Sequence, residues 1–389
     1  MAAGPVMAPG ASAGEVFGLI RGGLAETRAD LGRLTGLSRT AVTLRVDQLV
    51  DRGLVVETAA GGSTGGRPPT RLVFNADGGV VLAAALGASR SQLAVCDLSG
   101  RALATATVEW ADDPAVMLAA VADSFDRLLA GRRPLRGIGV SVPGTVEAGT
   151  TRSVSPSAWV DVDIPAFFAE RYGVPVRVDN DVNALALAEH RAHPDIDDLL
   201  VIKVSTGIGA GIISGGGLRR GAMGAAGEIG HTKVVDGGGA VCRCGGVDCL
   251  EAVAGGWALV RELTALGRKV GTALDVAELA RADDPDALRL VRAAGRHLGG
   301  VVAAAVNLLN PAMIIVGGDL ARAYEPLVAG MRELIYQSAA ATATRDLRIE
   351  PGTLTDGGTR TGCAVMVLDD VLSAASVNAA VAGRPVAVG

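Results

Sequence analysis

The feature that most constrains this chain is a group of metal-type side chains in its middle. Three of the five cysteines, Cys242, Cys244 and Cys249, fall within eight residues, and His231 precedes them. One imidazole and three thiolates are the ligands of a closed tetrahedral zinc site, in which protein fills all four positions. The pattern therefore predicts a structural Zn²⁺. Three free thiols beside an unrelated histidine are the alternative.

Two carboxylates belong to the same stretch of chain. Glu228 lies in the segment Gly227-Glu-Ile-Gly-His231, and Glu251 follows the last cysteine by two positions. A metal that holds the loop would give both side chains fixed positions. We therefore expect Glu228 and Glu251 to face a cleft as hydrogen-bond acceptors.

Two further segments carry polar or glycine-rich patterns. Val178-Asp-Asn-Asp-Val-Asn183 ends a predicted strand just before a predicted helix over 184–190. Such carboxylates and amides can bind several hydroxyls, and one carboxylate can act as a general base; an N-cap cluster is the alternative. In Val204-Ser-Thr-Gly-Ile-Gly-Ala-Gly211, backbone amides of the turn could approach a phosphate, although tight hairpins also use such glycines.

Length and composition set the general class. A chain of 389 residues predicts two or three domains, and 49% hydrophobic against 20% charged residues excludes disorder over most of it. No apolar run approaches the roughly 20 residues that span a bilayer. Residues 1–14 are expected to be a disordered start rather than a signal peptide. We expect a cytoplasmic protein with no membrane partner.

Residues 15–76 have the pattern of a winged helix-turn-helix. Apolar spacing predicts a first helix over 15–25, Thr27 caps a second, and Ser38 caps a third over 39–52. Two predicted strands, 54–58 and 70–74, flank a glycine-rich loop, as in a wing. A three-helix packing module without a DNA function is the alternative.

The third helix of such a module meets base edges with its N-terminal half. Val42, Val46, Leu49 and Val50 form the predicted inward stripe. The predicted DNA contacts are Ser38, Arg39, Thr40, Thr43, Arg45 and, in the loop, Arg67. Arg67 beside two prolines suits an A·T-rich minor groove, with an ordinary linker as the alternative. Residues 15–78 carry eight Arg against seven Asp or Glu, so binding should depend on base contacts and dimerisation.

Beyond residue 77, strand-like and helix-like patterns alternate, which predicts α/β layers. Two related lobes, 77–195 and 196–389, with a cleft between them are the simplest architecture. The predicted strands are 80–86, 92–97, 137–142, 199–204 and 312–316, and the predicted helices are 114–130, 275–282, 285–309, 324–338 and 362–373.

These motifs together resemble the ROK family of repressors, open reading frames and kinases, over about residues 15–375. The Glu-x-Gly-His and Cys-x-Cys-Gly-x-x-x-Cys-x-Glu pair is specific, although Asp248 stands where the family usually has Gly. The Leu-Ser-Arg-Thr-Ala-Val run and the Gly-Gly-Arg-Pro linker look like those of the transcriptional-repressor branch. The resemblance implies an actin-like, sugar-kinase-type ATPase fold. The sugar contacts that it implies are Asn180, Asp181, Glu228, His231 and Glu251.

Two departures from the family bear on catalysis. Its kinases open the first lobe with Asp-x-Gly-x-Thr, whose Asp helps to hold magnesium and phosphates, and here the aligned run is Ala85-Leu-Gly-Ala-Ser89. Asp181 matches the kinases' catalytic base but is predicted to be vestigial, so we expect no enzyme. Ser155-Pro-Ser-Ala-Trp159 replaces the family's Pro-Asn-Leu before a Trp, so the ligand could differ from glucose.

The sequence thus predicts a sugar-responsive, DNA-binding transcriptional repressor. Its expected partners are a palindromic double-stranded operator, a sugar effector, and further copies of itself in a homodimer or tetramer. An ATP-dependent sugar kinase with an appended DNA-binding domain is the alternative. A DNA-binding protein that has lost its ligand is a third interpretation.

Overall fold

Three helices and a hairpin form the N-terminal unit. The computed structural model describes residues 10–59, 70–87, 90–109, 111–147, 159, 162–354 and 357–383. The elements of this unit are α1 (Ala13–Arg21), α2 (Arg28–Thr35), α3 (Arg39–Asp51), β1 (Val55–Ala59) and β2 (Thr70–Phe74). Ser12, Thr27 and Ser38 cap the three helices with their side-chain oxygens, and the two strands pair antiparallel.

The N-terminal unit differs from the prediction at three places. Helix α1 begins at Ala13, because Ser12 and Glu15 form a capping box, so part of the expected disordered start is helical. The same helix ends before Leu24, which is 61% exposed. Val50, predicted to face inward, is 36% exposed. Arg67 and its loop lie outside the described residues.

Two five-stranded mixed sheets follow, and they share one topology. The first contains β3 (Val80–Leu86), β4 (Arg90–Asp97), β5 (Ala102–Glu109), β6 (Leu135–Val142) and β7 (Val176–Asn180); the second contains β8 (Leu199–Val204), β9 (Ile208–Ser214), β10 (Gly217–Arg219), β11 (Met313–Gly317) and β12 (Arg348–Pro351). Their orders are β5-β4-β3-β6-β7 and β10-β9-β8-β11-β12. In both, three antiparallel strands precede two parallel ones. Below, the first lobe means the part of the chain around the first sheet, and the second lobe the part around the second sheet.

Helices cover these sheets, which is why β3 is buried on both faces. The helices that follow the N-terminal unit are α4 (Pro114–Leu129), α5 (Ile164–Tyr172), α6 (Asp181–Ala192), α7 (Leu250–Ala254), α8 (Gly256–Ala265), α9 (Ala273–Arg281), α10 (Pro285–Leu309), α11 (Tyr324–Ser338), α12 (Ala341–Thr344), α13 (Gly358–Val371) and α14 (Ala374–Val381). Across the described ranges, no single helix is long and apolar enough to cross a membrane; only α13 and α14 taken together, with a 56° bend, pass such a test.

The two lobes exchange their last helices. Helix α6 follows the first sheet but packs on β8 and β9, whereas α13 follows the second sheet but packs on β3 and β6. The two helices also pack on each other. Residues 196–389 were predicted to form one lobe. One helix of that range, α13, instead covers the first sheet. The exchange brings the start of α6 to the junction of the lobes.

The N-terminal unit rests on the C-terminal helices. Helix α1 packs against α14, and the backbone N–H of Gly14 donates to Asn378 Oδ1 at 2.8 Å. Arg136 of β6 donates to the carbonyl oxygens of Arg52 and Gly78, both at 2.9 Å. Buried apolar side chains of the N-terminal unit form one cluster with those of α13 and the first sheet. The unit is thus continuous with the core of the first lobe.

Candidate functional site

A cavity of about 800 Å³ opens between the lobes. It is lined by the end of β3, the start of α6, the turn between β8 and β9, and the loop that carries the cysteines. The five predicted sugar contacts, Asn180, Asp181, Glu228, His231 and Glu251, all line it. The structure therefore brings together residues that are up to 71 positions apart in the sequence.

Two polar residues near the start of α6 form hydrogen bonds that stabilise the fold. Asn180 is the N-cap: its Oδ1 accepts from the backbone N–H of Val182, and its Nδ2 donates to the carbonyl oxygen of Gly144, both at 2.7 Å. Asp179 is buried and accepts from Asn183 Nδ2 at 2.8 Å and Arg220 Nε at 2.7 Å. The capping alternative thus applies to Asn180, although its side chain also borders the cavity.

Asp181 lies in the first turn of α6 rather than at the strand end. Its Oδ2 forms an ion pair with Lys203 Nζ, from β8 of the other lobe. Sequence reasoning missed Lys203, although a signal was present, since the chain has only three lysines, at 203, 233 and 269. The carboxylate that matches a catalytic base is therefore paired with a cation across the cleft.

His231 and the three cysteines form a compact cluster that could hold a metal ion. One ligand atom of each lies within 4.8 Å of the others. Cys242 Sγ is 3.8 Å from His231 Nδ1, and Cys244 Sγ is 3.7 Å from Cys249 Sγ. Ligands at about 2.3 Å around a tetrahedral ion stand about 3.8 Å apart. The donor set and its spacing therefore fit such a site.

The surroundings of the cluster act in opposite directions on two of its thiols. The backbone N–H of Gly246, followed by the Cys242 thiol, lowers the pKa of Cys244 to about 7. Burial raises the pKa of Cys242 to about 11, a cost that a bound cation would offset. Lys233, also missed from the sequence, donates to Cys249 Sγ at 3.2 Å, and this contact raises the pKa of Lys233. An ammonium beside the thiolates reduces their mutual repulsion.

The two carboxylates of this loop have different environments. Glu228 Oε1 accepts from Thr145 Oγ1 at 2.7 Å, a contact from the second lobe to the first, and Glu228 Oε2 lies 3.9 Å from His231 Nε2. Glu251 Oε2 accepts from the backbone N–H of Ile208 at 3.1 Å. This amide belongs to the glycine-rich turn, so Glu251 occupies one of the donors that a phosphate could have used.

Two other side chains hold Glu251. Its Oε1 accepts from Trp257 Nε1 at 3.1 Å and from Arg243 Nη2 at 3.2 Å. Neither Trp257 nor Arg243 was predicted from the sequence. The tryptophan ring also lies against two guanidinium groups, with the carbon of Arg243 5.0 Å and that of Arg261 5.2 Å from its centroid.

The segments that depart from the kinase pattern lie at the same cavity. Ala85 lies near the end of β3 and lines the cavity with Leu86 and Gly87, so no carboxylate stands at position 85. Trp159 is buried and borders the cavity. Ser89 and residues 155–158 lie outside the described ranges.

Most of the predicted DNA contacts are exposed on the N-terminal unit. Arg39, Thr40 and Thr43 are exposed at the start of α3, and Arg45 is partly buried. The Ser38 hydroxyl oxygen accepts from the backbone N–H of Ala41 at 3.3 Å, so its first role is to cap α3. The exposed face of α3 is therefore available to a large ligand.

Two mixed sheets with a polar cleft between them define a sugar-kinase-like α/β protein, here with an added N-terminal unit. The family model of the ROK family matches residues 81–370, and the chain belongs to the ROK family. The resemblance inferred from the motifs is thereby confirmed.

Several of the similar proteins are regulators. The xylose repressor of Caldicellulosiruptor bescii is 30% identical over 373 residues, which cover 89% of this chain and 92% of the repressor. The DNA-binding transcriptional dual regulator NagC of Escherichia coli K12 is 31% identical over 339 residues, or 80% of this chain and 81% of NagC. A crystal structure of a ROK family transcriptional regulator, a homologue of the E. coli MLC protein, superposes with a TM-score of 0.82 at 26% identity and covers 95% of this chain and 98% of that one. Such coverage must include most of the N-terminal unit.

Proposed function

We propose that the protein is a sugar-responsive transcriptional repressor that binds operator DNA with its N-terminal unit and a sugar in the cleft. The observation that carries this proposal is that similarity to a xylose repressor and to a ROK family transcriptional regulator covers so much of the chain that it extends into the N-terminal unit as well as the cleft. The cavity supplies the polar side chains that a polyhydroxylated ligand needs. Such a regulator acts on DNA in the cytoplasm.

The N-terminal unit serves as a winged helix-turn-helix. Helices α2 and α3 form the helix-turn-helix, the β1–β2 hairpin forms the wing, and α3 presents its exposed residues to the major groove. The proposed contacts are Ser38, Arg39, Thr40, Thr43, Arg45 and Arg67. A homodimer or tetramer would place two such units on a palindromic operator, because half-site symmetry mirrors protein symmetry.

The cleft binds a sugar without phosphorylating it. Ala85 removes the carboxylate that would help to hold magnesium and phosphates. Lys203 pairs with Asp181, and Glu251 occupies the Ile208 amide. Each feature weakens the sugar-kinase alternative. A functioning kinase would instead form sugar phosphate from ATP, magnesium and a sugar at enzyme-like rates, which a coupled assay measures directly.

The metal cluster holds a structural zinc ion. Three thiolates and an imidazole leave no coordination position for substrate, so the ion would fix the loop that carries Glu228 and Glu251. Purified protein should contain about one zinc per chain. Cys244→Ser should lose the metal and weaken sugar binding, and unchanged zinc content, stability and sugar affinity would contradict the assignment.

The test of the DNA-binding half starts from random double-stranded DNA. Sequences selected by the protein should contain an inverted repeat, and Arg39→Ala should weaken binding to them by at least about tenfold, as expected for a lost base contact. Arg345→Ala, which removes a 77% exposed guanidinium from the second lobe, is the control and should bind normally. Equal binding by both variants would contradict the placement of α3.

The test of the sensing half uses the selected DNA. D-xylose, D-glucose, N-acetyl-D-glucosamine and its 6-phosphate are titrated into the complex, and one of them should release the DNA. Release requires that the sugar bind the two states of the protein with different affinity. If no sugar changes either DNA affinity or thermal stability, the sensing function is wrong.

A further inference from the structure

Arg243 connects the metal cluster to the effector cleft. It lies between two of the cysteines, so any ion that holds Cys242 and Cys244 also fixes the backbone at residue 243. The side chain turns toward the cavity, where it donates to Glu251 and lies over the ring of Trp257. The Arg243 side chain therefore links the cysteine loop to Glu251, a predicted sugar contact.

Three donors define the position of the Glu251 carboxylate. They are the Ile208 amide, the Trp257 indole and the Arg243 guanidinium, and the Glu251 side chain is only 12% exposed. An ionised carboxylate can accept about four hydrogen bonds, so roughly one acceptor position remains for a ligand. Of the three donors, only Arg243 belongs to the metal loop. The direction of that remaining position thus depends on where the loop holds Arg243.

We propose that Arg243 is a positioning residue that makes effector affinity depend on metal occupancy. With the ion bound, the loop is fixed, Arg243 holds Glu251, and Glu251 presents its free acceptor position to the cavity. Without the ion, the backbone at residue 243 is no longer held in one position. Arg243 then no longer donates steadily to Glu251, which keeps only its other two donors. A charge-assisted, planar donor suits this task because it sets both distance and orientation. The sugar-binding consequence rests on the proposed function.

Arg261 provides a matched control in the same place. Its guanidinium lies over the same indole ring at nearly the same distance, 5.2 Å, but donates to Glu262. Arg261→Ala therefore removes a stacked cation from Trp257 while the contact between Arg243 and Glu251 remains. Arg243→Lys is a second variant, which keeps a positive charge but loses the planar donor pair.

The first experiment needs no sugar. The chain has three tryptophans, so the difference between the wild-type protein and Trp257→Phe isolates the emission of Trp257. Removal of zinc with a chelator should shift this emission, and added Zn²⁺ should restore it, in the wild type and in Arg261→Ala. Arg243→Ala should show no such shift, and Arg243→Lys a reduced one. The inference fails if the wild type shows no metal-dependent shift, or if Arg243→Ala shows the full shift.

The second experiment measures binding of the four sugars by calorimetry, in zinc-loaded and zinc-free protein. Arg243→Ala with full zinc should bind about tenfold more weakly, Arg243→Lys less so, and Arg261→Ala within about twofold of the wild type. Zinc removal should weaken the wild type by a similar factor but Arg243→Ala little further, since coupled changes are not additive. Unchanged affinity in Arg243→Ala would overturn the inference. If the wild type binds none of the sugars, the proposed function fails, while the fluorescence experiment still decides the inference.

Discussion

At the residue scale, Glu251 reaches the Ile208 amide because residue 207 has no side chain. A Cβ built on Gly207 would overlap Glu251 Oε2. The added methyl group would push the Glu251 carboxylate away from the Ile208 amide, one of its three hydrogen-bond donors. We expect sugar affinity to fall about tenfold and the free energy of unfolding to fall by about 1–3 kcal/mol, the cost of a lost hydrogen bond to a mostly buried charged group.

Gly217→Ala is the control for this prediction. Its added Cβ would come no closer than 3.9 Å to the carbonyl oxygen of Ser214, on the short strand β10. Calorimetric titration of the two variants should show a loss of affinity only for Gly207→Ala. If both bind sugar as the wild type does, Glu251 does not contribute to the ligand site.

Asp248 stands where the family usually has Gly, and its hydrogen bonds show how the loop accommodates a side chain there. It has a φ of 58°, in the left-handed region that favours glycine, and its Oδ1 accepts from the backbone N–H groups of Gly239 and Ala240 at 2.8 and 3.1 Å. These two hydrogen bonds compensate for the strain that a side chain brings there. Asp248→Ala keeps the strain and loses the bonds, whereas Asp248→Gly loses both.

The expected order of stability of the metal loop is therefore wild type, then Asp248→Gly, then Asp248→Ala. The alanine variant should be about 1–2 kcal/mol less favourable than the glycine variant, the cost of a left-handed conformation with a Cβ. The rate of zinc transfer to a colorimetric chelator reports loop stability directly. Faster zinc loss from the glycine variant than from the alanine variant would show that backbone strain is not the dominant factor.

Some site residues could be read from the sequence and others could not. The clustering of His231 with the three cysteines was predictable because the cysteines share eight residues and one type of site accounts for such a set of side chains. Thr145 was not, because it lies 83 positions from Glu228 and only the approach of the two lobes joins them. Arg243 was overlooked although it stands within the motif. No sequence pattern distinguishes a residue that lies between two metal ligands. Only the folded structure shows that Arg243 contacts Glu251.

At the element scale, local chemistry predicted where elements begin better than where they pack. The caps at Thr27 and Ser38 were correct because the capping oxygen is two or three residues from the amides it satisfies. Helix α6 starts earlier than predicted because Asn180 caps it. The exchange of α6 and α13 between the lobes could not be inferred, since an apolar helix face does not specify which sheet will cover it.

The docking of α1 on α14 gives the element-scale prediction. Gly14 is buried in this contact, and a Cβ there would overlap the backbone of Ala374, which cannot move as a side-chain end can. Gly14→Ala should therefore destabilise the docking of the N-terminal unit by about 1–3 kcal/mol, as overpacking does. Limited proteolysis and thermal unfolding measure this change.

Gly18 lies four residues later on the same helix and offers a matched control. A Cβ at Gly18 would meet no atom within 4 Å, so Gly18→Ala should be neutral or stabilise the helix by up to about 1 kcal/mol. Opposite effects of two identical substitutions in one helix would identify packing rather than helix propensity as the cause. If Gly14→Ala were as stable as Gly18→Ala, the contact between α1 and α14 would not be tight in solution.

At the scale of the whole molecule, α6 connects the cleft to the N-terminal unit. Its first turn carries Asp181 in the cleft, and its last turn carries Arg191, which lies 3.6 Å from Asp369 of α13. Arg21 of α1 lies 4.0 Å from the same carboxylate. Asp369 therefore joins the far end of α6 to the N-terminal unit. Any shift of α6 on ligand binding would change how the two arginines share that carboxylate.

Substitution of Asp369 by asparagine tests this connection. Desolvation raises the pKa of the Asp369 carboxyl despite the opposing charges of Arg191, Arg21 and His190, so the folded protein should tolerate a neutral amide. Half-exposed ion pairs also contribute little to stability. We expect Asp369→Asn to keep its fold, its sugar affinity and its operator affinity, but to lose about fivefold in the ratio of operator affinities without and with sugar, within the range of measured coupling energies.

The neighbouring Asp370→Asn separates a specific connection from a general loss of charge on α13. Asp370 pairs with Arg177 of β7 at 2.9 Å rather than with the N-terminal unit, so its substitution should leave the sugar response intact. Fluorescence anisotropy of labelled operator DNA, titrated with and without the releasing sugar, gives both affinities for each variant. A full sugar response in Asp369→Asn would exclude this carboxylate from the coupling. An equal loss in both variants would mean that the charge of α13, and not the bridge between α6 and α1, carries the signal.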